Sequence, residues 1–450
     1  MLHVAVVGSG PSGVYAAQSL VQQSQVPGVH VDVLDRLPCP YGLVRYGVAP
    51  DHEKIKSLQN NLRTVLEHER VRFLGGVEVG PGGVPAARLR ELYHAVVYCV
   101  GAATDRHLGV PGEELPGSWS ATEFVSWYSA HPDATADGFV LGARAAVVIG
   151  VGNVAVDVTR MLARSAAELS PTDMPQGALA ALAHSQVRDI QMVGRRGPSQ
   201  ARFTTKELRE LGTLPDTEVV VDPEELALDP AYADPSALPA AQRRNVEVLR
   251  GWATQPPSGG SRRIRLRFFL RPVELLPAGE RVGAVRFERT VPDGHGGVTG
   301  TGQYEDIEAQ LVLRSVGYRG VPLESLPFDA ERGTVPHLAG RVLREGSVAP
   351  GEYVAGWIKR GPTGVIGTNR PCSKETVTSL LEDAPELVRR EVPDDPLEVL
   401  RAEGLRPVEW SGWLAIERAE AELGASLGRS VVKLPDWQSL MEAARAANAR

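Results

Sequence analysis

Two glycine-rich segments, each placed directly after a short apolar run, limit what this chain of 450 residues can fold into. The first is Gly8-Ser9-Gly10-Pro11-Ser12-Gly13 after residues 3–7, and the second is Gly150-Val151-Gly152-Asn153-Val154-Ala155 after residues 145–149. Such apolar runs are typical of strands in a parallel sheet that is buried on both faces. A GxGxx(G/A) turn between a strand and a helix lets backbone N–H groups approach a pyrophosphate. The sequence therefore predicts an α/β protein with two dinucleotide-binding folds in series.

The first glycine segment lies in a complete βαβ pattern. Residues 14–20 favour a helix, and residues 29–34 favour a second strand that ends at Asp35. An acid about 20 residues beyond the last glycine accepts a hydrogen bond from a ribose hydroxyl. A glycine turn without a nucleotide is the alternative, but the combined pattern predicts a nucleotide site, which we assign to FAD.

The second glycine segment lacks the expected acid. Residues 157–167 favour a helix, and the strand predicted over residues 190–193 ends in Gly194-Arg195-Arg196-Gly197. Planar guanidinium groups at this position suit the 2′-phosphate that distinguishes NADP from NAD. A solvent-exposed arginine pair is the alternative interpretation. The pattern favours NADP(H).

Charge and cysteine content limit the classes of partner that the sequence favours. The formal net charge of −7 does not favour nucleic-acid binding. Cys39, Cys99 and Cys372 lie far apart, without the spacing of a metal site, a dithiol relay or an iron-sulfur cluster. Electrons that leave a flavin would therefore pass to a separate molecule. With no signal-peptide pattern and no apolar run of membrane length, we expect a cytoplasmic protein without membrane insertion.

Several further motifs resemble adrenodoxin reductase and its bacterial ferredoxin-NADP reductase relatives. They are Pro38-Cys39-Pro40-Tyr41-Gly42-Leu43-Val44-Arg45, Gly47-Val48-Ala49-Pro50-Asp51-His52, Ser315-Val316-Gly317-Tyr318 and the segment 356–369. The resemblance implies two Rossmann-like domains, with the NADP domain inserted into a discontinuous FAD domain. The expected bounds are 1–104 and 319–450 for the FAD domain, whose second part ends in a helical tail, and 105–318 for the NADP domain.

The resemblance also implies which residues bind the two cofactors. For FAD they are Gly8, Gly10, Pro11, Ser12, Gly13, Asp35, Arg36, Gly42, Leu43, Val79 and Gly101. For NADP(H) they are Gly150, Gly152, Asn153, Val154, Arg195, Arg196 and Glu207. Around the flavin ring and the nicotinamide they are Gly356, Trp357, Gly364, Val365 and Ile366. Trp357 could otherwise be a core aromatic residue.

His52, Glu210 and Trp357 are the expected catalytic residues by the same resemblance. Hydride passes directly between nicotinamide and flavin, so the protein supplies orientation and electrostatics. His52 could equally be a hydrogen-bonded loop histidine, and Glu210 could lie on a solvated helix face. Similar arginines in the family dock acidic ferredoxins, which indicates docking near Arg243 and Arg244; simple solvation of these two arginines is the alternative.

Other segments carry structural expectations. Residues 222–238 and 254–261 are rich in turn-forming residues and are predicted to be surface excursions. Alternation over residues 263–268 predicts a strand with its arginines on a solvated face. A helix is expected over residues 374–381, and a terminal packing helix over residues 431–447.

The leading hypothesis is an NADPH:ferredoxin oxidoreductase that reduces FAD by hydride transfer and then reduces a ferredoxin or flavodoxin-like carrier one electron at a time. A subunit feeding a fixed partner, like the small subunit of glutamate synthase, is a second possibility, which the missing cluster cysteines disfavour. A redox sensor or assembly protein that binds both nucleotides without turnover is the third.

Overall fold

The computed structural model describes residues 1–134, 139, 141–256 and 258–446. The chain divides into two compact units. The first unit contains Met1–Thr104, Ser129–Asp133 and Tyr318–Arg450, and the second contains Asp105–Tyr128 and Ala134–Gly317. The sequence did not anticipate that residues 129–133 belong to the first unit. In the described part of the chain, no helix has both the length and the apolar character that crossing a membrane requires.

The strands are numbered in chain order. They are β1 (Leu2–Val7), β2 (Val29–Leu34), β3 (Val71–Leu74), β4 (Ala95–Tyr98), β5 (Thr104–Asp105), β6 (Ser118–Ser120), β7 (Ala145–Ile149), β8 (Asp189–Val193), β9 (Thr217–Val221), β10 (Arg262–Arg267), β11 (Leu270–Ala278), β12 (Arg281–Pro292), β13 (Val298–Glu308), β14 (Leu311–Arg314), β15 (Tyr318–Arg319), β16 (His337–Leu338), β17 (Arg341–Arg344) and β18 (Ser347–Val354).

The helices are numbered in the same way. They are α1 (Pro11–Gln22), α2 (Leu43–Tyr46), α3 (Glu53–Lys56), α4 (Leu58–Leu66), α5 (Ala86–Leu92), α6 (Ala121–Tyr128), α7 (Asn153–Ala163), α8 (Ala166–Leu169), α9 (Gln176–Ala183), α10 (Thr205–Leu211), α11 (Pro223–Ala227), α12 (Pro230–Ala233), α13 (Ala240–Ala253), α14 (Trp357–Arg360), α15 (Asn369–Leu387), α16 (Pro396–Ala402), α17 (Trp410–Ser426) and α18 (Trp437–Arg445). Short 3-10 turns span Pro198–Gln200, Pro235–Ala237 and Ile366–Thr368.

The first unit is built on a seven-stranded sheet in the order β16-β17-β18-β4-β1-β2-β3. The strands from β18 to β3 run parallel, and β16 and β17 add antiparallel strands at one edge. Since β2 lies on one side of β1 and β4 on the other, the strand order reverses at β1. In open α/β sheets, ligands bind at the carboxyl ends of the strands beside such a reversal.

The second unit repeats this arrangement with a six-stranded sheet in the order β6-β14-β7-β8-β10-β9. Its pairs are parallel, and the order reverses at β7, between β8 and β14. A three-stranded antiparallel sheet, β11-β12-β13, completes the unit. Each unit therefore has one reversal of strand order, called a switch point below, at which a nucleotide can bind.

Strand β10 shows the alternation that the sequence predicted. Ile264 and Leu266 are completely buried, whereas Arg263 is exposed and Arg265 is half-buried. The three arginines are ion-paired, because Arg263 pairs with Glu218, Arg265 with Asp189, and Arg267 with Glu225 and Glu305. The expected helix around residues 374–381 lies within the longer α15.

Two predicted helices have different bounds in the structure. The helix expected over residues 157–167 ends at Ala163, since Arg164 is extended and Ser165 starts α8 with a capping box. The terminal helix starts at Trp437, because the Asp436 side chain caps its first turn. Ala447, the last residue of that expected helix, lies outside the described residues.

The excursion over residues 222–238 is more ordered than its turn-rich composition indicated. Asp-Pro pairs begin α11, α12 and the turn Pro235–Ala237, and in each the aspartate accepts a hydrogen bond from a backbone N–H two residues on. Asp is a strong N-cap residue, and Pro is favoured at the first helical position. In the second excursion, 254–261, residue 257 lies outside the described residues.

A buried ion pair joins the C-terminal helices to the motif around residue 45. Arg45 donates to both carboxylate oxygens of Glu420 at 2.5 and 3.1 Å, and both side chains are about 95% or more buried. Lys433 Nζ donates to the backbone oxygen of Arg45 at 2.6 Å. Tyr46, which departs from the family pattern, is buried with its ring 5.0 Å from the Arg45 guanidinium.

We expect Glu420→Gln to lower the free energy of unfolding of the first unit by about 3 kcal/mol, because a buried Arg45 cation would lose its counter-charge. Glu417→Gln is the matched control on the same helix, since Glu417 is one-third exposed and pairs with Arg63. Its cost should be below about 1 kcal/mol. Thermal unfolding of both variants with bound cofactor measures the difference. Equal shifts would contradict a special role for the buried pair.

Candidate nucleotide-binding sites

The first glycine loop joins β1 to α1 by close backbone contacts. Gly8 has φ +110°, and a Cβ there would lie 2.5 Å from the oxygen of Cys99. A Cβ on Gly13 would lie 1.8 Å from the oxygen of Gly8. Only glycine fits either position. Helix α1 begins at Pro11 with Gly10 as an N-cap that has no side-chain hydrogen bond, so its first N–H groups face a site that an anion can fill.

The motif after residue 37 packs on this loop. Tyr41 donates its backbone N–H to the oxygen of Ser9 at 3.1 Å. A Cβ on Gly42, which has φ +49°, would lie 2.9 Å from Cα of Gly10. Leu43 follows at the start of α2 and is 37% exposed. Gly42 and Leu43 are thus held beside the loop to which the sequence assigned them.

Asp35 ends β2 and is anchored on both carboxylate oxygens. Oδ2 accepts from the N–H of Ser9 at 2.8 Å and from its hydroxyl at 2.5 Å, and Oδ1 accepts from the N–H of Leu37 at 2.9 Å. Burial raises the pKa of Asp35 above its ordinary value. Oδ2 uses both of its lone pairs in these bonds, whereas Oδ1 uses one, so this geometry orients Asp35 and leaves a lone pair of Oδ1 as an acceptor for a ribose hydroxyl.

Arg36 has partners within the first unit. Its guanidinium pairs with Asp133 and lies 5.6 Å from the centre of the Trp437 ring. Trp437 Nε1 donates to Asp133 at 2.7 Å. These contacts hold Arg36, an expected FAD-binding residue, against the segment 129–133 and helix α18. The sequence did not indicate this contact.

The segment that starts at Gly356 lies against the first turn of α1. Gly356 has φ +77°, and a Cβ there would lie 2.5 Å from the Ser12 hydroxyl oxygen. Ser373 on α15 donates to the backbone oxygen of Ser12 at 2.8 Å. Trp357 follows, and its buried Nε1 has no hydrogen-bond partner among the described residues. A buried indole N–H without a partner among the described residues, next to Gly356, is suited to donate a hydrogen bond to a bound polar ring.

The remaining expected FAD residues differ in exposure. Gly101 has φ +73° and open space where a side chain would point. Val365 is 62% exposed at the start of the turn Ile366–Thr368, which leads into α15, and Gly364 before it has φ +83°. Val79 differs because its side chain is buried, so only its backbone is suited to contact a ligand.

The second glycine loop repeats the geometry of the first. A Cβ on Gly150, which has φ +141°, would lie 2.1 Å from the oxygen of Ser315, which directly follows the neighbouring strand β14. Around Gly152 the space is open, and α7 begins at Asn153 without a side-chain cap. Ala155, at the third position of the motif, is completely buried and Val154 is half-buried.

The loop after β8 presents the arginine pair. Arg195 is exposed and Arg196 is half-buried, and neither forms an ion pair in the described part of the chain. Asp229 Oδ2 accepts from the N–H of Ser199 at 2.9 Å, and its Oδ1 accepts from the N–H of Ala231 at 3.0 Å. The capped excursion therefore supports the loop that carries the arginines.

A groove of about 670 Å³ lies beside this loop. Among its lining residues are four cations, Arg196, Arg202, Lys206 and Arg244. Asn153 Oδ1 accepts from the N–H of Thr204 at 2.8 Å, which ties the second glycine loop to the segment that forms the groove.

Glu207 and Glu210 lie on α10 in different surroundings. Glu207 is 93% buried, whereas Glu210 is partly exposed. Glu210 lies 3.5 Å from the buried Arg160 on α7 and 3.5 Å from Lys206. Glu210 thus lies between two cations.

His52 is a buried residue of the first unit. Its backbone N–H donates to Ala49 at 3.0 Å, and it precedes the short helix α3. Its catalytic role stays a prediction.

Sequence reasoning missed Ser9, Ser373, Asp229 and Arg202. The first two act through hydrogen bonds to segments distant in sequence, for which no local pattern exists. Asp229 carried a usable signal, because Asp-Pro is a typical helix start. Arg202 lies six residues beyond Arg196, outside the motif Gly194-Arg195-Arg196-Gly197.

Several known proteins are similar to this chain over nearly its whole length. Residues 2–196 match the family described as pyridine nucleotide-disulphide oxidoreductase. The NADPH-ferredoxin reductase FprA of Mycobacterium tuberculosis is 44% identical over 454 residues, which cover 98% of each chain. Mitochondrial NADPH:adrenodoxin oxidoreductase of Homo sapiens is 40% identical over 460 residues, 97% of this chain and 91% of that protein. The solved structure of Mycobacterium tuberculosis FprA in complex with NADPH matches with a TM-score of 0.93 at 42% identity, covering 99% of both chains.

Two mainly parallel sheets, each with a glycine loop at its switch point, define an oxidoreductase of the two-dinucleotide class. Within that class, the chain belongs to the family of NADPH-ferredoxin and NADPH:adrenodoxin reductases, whose members match nearly all of it at 39–44% identity. The resemblance and the fold class expected from the motifs are confirmed.

We expect Asp229→Ala to speed amide hydrogen exchange in residues 196–200, because the N–H of Ser199 would lose its acceptor. Asp234→Ala is the matched control, since Asp234 also caps an Asp-Pro turn but accepts only from Ser236 in that turn. Exchange should rise about tenfold in the first variant, for a local loss of about 1.4 kcal/mol. Unchanged exchange of Ser199 in Asp229→Ala would show that the excursion does not support the loop.

Proposed function

We propose that this chain is an FAD-dependent NADPH:ferredoxin oxidoreductase. The proposal depends on one observation: two similar glycine loops differ in the residues that follow. Asp35 follows the first loop, and Arg195 and Arg196, which form no ion pair with any described residue, follow the second. An acid suits a ribose diol, and an arginine pair suits a 2′-phosphate. Membership of the reductase family supports the same pair of cofactors.

Residues of the first unit would hold FAD. The N–H groups at the start of α1 would bind its pyrophosphate, and Asp35 would orient its ribose. Gly101 leaves open space where a side chain would point, and Gly42 and Gly356 let their backbones pack directly on Gly10 and Ser12 of the first glycine loop. The Trp357 indole N–H is a donor without a partner in the described part of the chain.

Residues of the second unit would hold NADPH. The N–H groups at the start of α7 and the Asn153 amide would bind the pyrophosphate, while Arg195 and Arg196 would bind the 2′-phosphate. Asn153 keeps its Nδ2 donor for this purpose, because only its oxygen is used by Thr204. Glu207 is proposed to lie near the bound nucleotide.

FAD, when bound, supplies hydride acceptance from NADPH and one-electron transfer to a carrier. The chain's own contribution is orientation and electrostatics. N–H groups of the turn Ile366–Thr368, at the start of α15, would stabilise negative charge, as helix N-termini do. His52 and Glu210 are proposed to control proton access and the position of the nicotinamide.

The partner is proposed to be a ferredoxin or a flavodoxin-like acidic carrier. Arg243 and Arg244 on α13 form no ion pair in the described part of the chain, so they can meet carboxylates of a partner. The cytoplasmic location expected from the sequence stays a prediction.

The variant Arg195→Ala/Arg196→Ala tests the proposal. Mixed anaerobically with NADPH, the wild-type holoprotein should lose its flavin absorbance faster than with NADH. The variant should lose about 2–4 kcal/mol of that preference, roughly 30- to 800-fold, because two charge-assisted contacts to the 2′-phosphate are removed. The reaction with NADH should change little.

Reoxidation separates the rival hypotheses in the same experiment. An acidic ferredoxin added to the reduced protein should restore the flavin absorbance. A flavin that NADPH cannot reduce would contradict the enzyme and favour the sensor. Reduction without reoxidation by any ferredoxin would contradict the assigned partner and favour a subunit with a fixed acceptor.

Replacing Arg243 tests the docking surface. We expect Arg243→Gln to raise the KM for ferredoxin about three- to tenfold at low salt, with the effect fading as ionic strength rises, because the attraction between exposed charges is screened. Arg418→Gln, which removes an equal charge from the first unit, is the control. A salt-independent KM that is equal in both variants would exclude docking at Arg243.

A further inference from the structure

The groove in the second unit has a charge that its own residues do not balance. Four cations line it, and no described lining residue is acidic. Lys206 has Glu210 at 3.5 Å and Glu207 at 4.0 Å. Arg196, Arg202 and Arg244 have no ion-pair partner in the described part of the chain. Like charges that share a groove without counter-charges favour binding of an anion.

Hydrogen bonds connect the segments that form the groove. Arg202 donates its backbone N–H to the oxygen of Val151, inside the second glycine loop, at 2.8 Å. Across the groove, the buried Asn245 amide on α13 donates to the oxygen of Phe203 at 3.0 Å. These bonds hold the base of Arg202 beside the glycine loop and hold α13 against the same segment.

The groove therefore adjoins the expected pyrophosphate site, and Arg196 at the end of β8 is common to the groove and the arginine pair. A volume of about 670 Å³ lies within the usual range of small-ligand sites. We therefore infer that the anion bound in this groove belongs to the same nucleotide whose pyrophosphate contacts the second glycine loop.

We propose that Arg202 and Arg244 bind the 2′-phosphate of NADPH together with Arg196, and so set the preference for NADPH over NADH. The inference rests on the proposed NADPH site and extends it beyond the Arg195-Arg196 pair. Arg244 then acts in nucleotide recognition, whether or not a carrier also contacts it. Lys206 contributes less, because Glu210 already balances part of its charge.

Fragments of the coenzyme test the inference without flavin chemistry. The holoprotein is titrated calorimetrically with 2′,5′-ADP, which carries the 2′-phosphate, and with 5′-AMP, which lacks it. Arg202→Gln and Arg244→Gln should each weaken binding of 2′,5′-ADP about 5- to 30-fold and leave that of 5′-AMP unchanged. Arg209→Gln is the charge-matched control, because Arg209 is exposed on α10 and does not line the groove.

The possible outcomes are distinct. Unchanged affinity for 2′,5′-ADP in both groove variants would overturn the inference, as would equal weakening of both fragments or a similar effect in Arg209→Gln. If the wild-type protein itself fails to distinguish 2′,5′-ADP from 5′-AMP, the proposed NADPH preference fails instead. Circular dichroism of each variant verifies that the fold is intact.

Discussion

The close approach of backbone to backbone at the two switch points is the constraint on which both nucleotide sites depend. At Gly8 a side chain would meet the oxygen of Cys99, and at Gly150 it would meet the oxygen of Ser315. In both cases the glycine leaves its strand with positive φ and lets the chain turn at once into a helix. The first N–H groups of α1 and α7 are thereby aimed at the strand ends, where a pyrophosphate can bind.

The two similar glycine loops differ in nucleotide specificity because of nearby side chains, which residues of other segments hold in place. Asp35 is oriented by Ser9 and Leu37, and the loop of Arg195 and Arg196 is supported by Asp229. In the first unit, the buried pair of Arg45 and Glu420 joins the motif beside the glycine loop to the C-terminal helices. The two sites therefore share a backbone design and differ in charge.

Sequence reasoning succeeded where the signal is local. The strands Val29–Leu34 and Ala145–Ile149 were predicted with their observed bounds, because apolar runs and flanking glycines are read within a few residues. It failed where the structure depends on contacts between residues that are far apart in the sequence. Glu420 lies 375 positions from Arg45, and no pattern near either residue predicts their contact. Residues 222–238 were predicted from composition to be a surface excursion, and composition alone does not show that each Asp-Pro pair starts a helix or turn.

Native mass spectrometry of the protein with FAD and NADP+ present together tests the central claim most directly. Two separate sites, one with an acidic residue and one with an arginine pair, predict that one FAD and one NADP+ bind to each chain. They also predict that excess NADP+ leaves FAD in place. A complex with only one nucleotide, or displacement of FAD by NADP+, would contradict the claim that each unit has its own site.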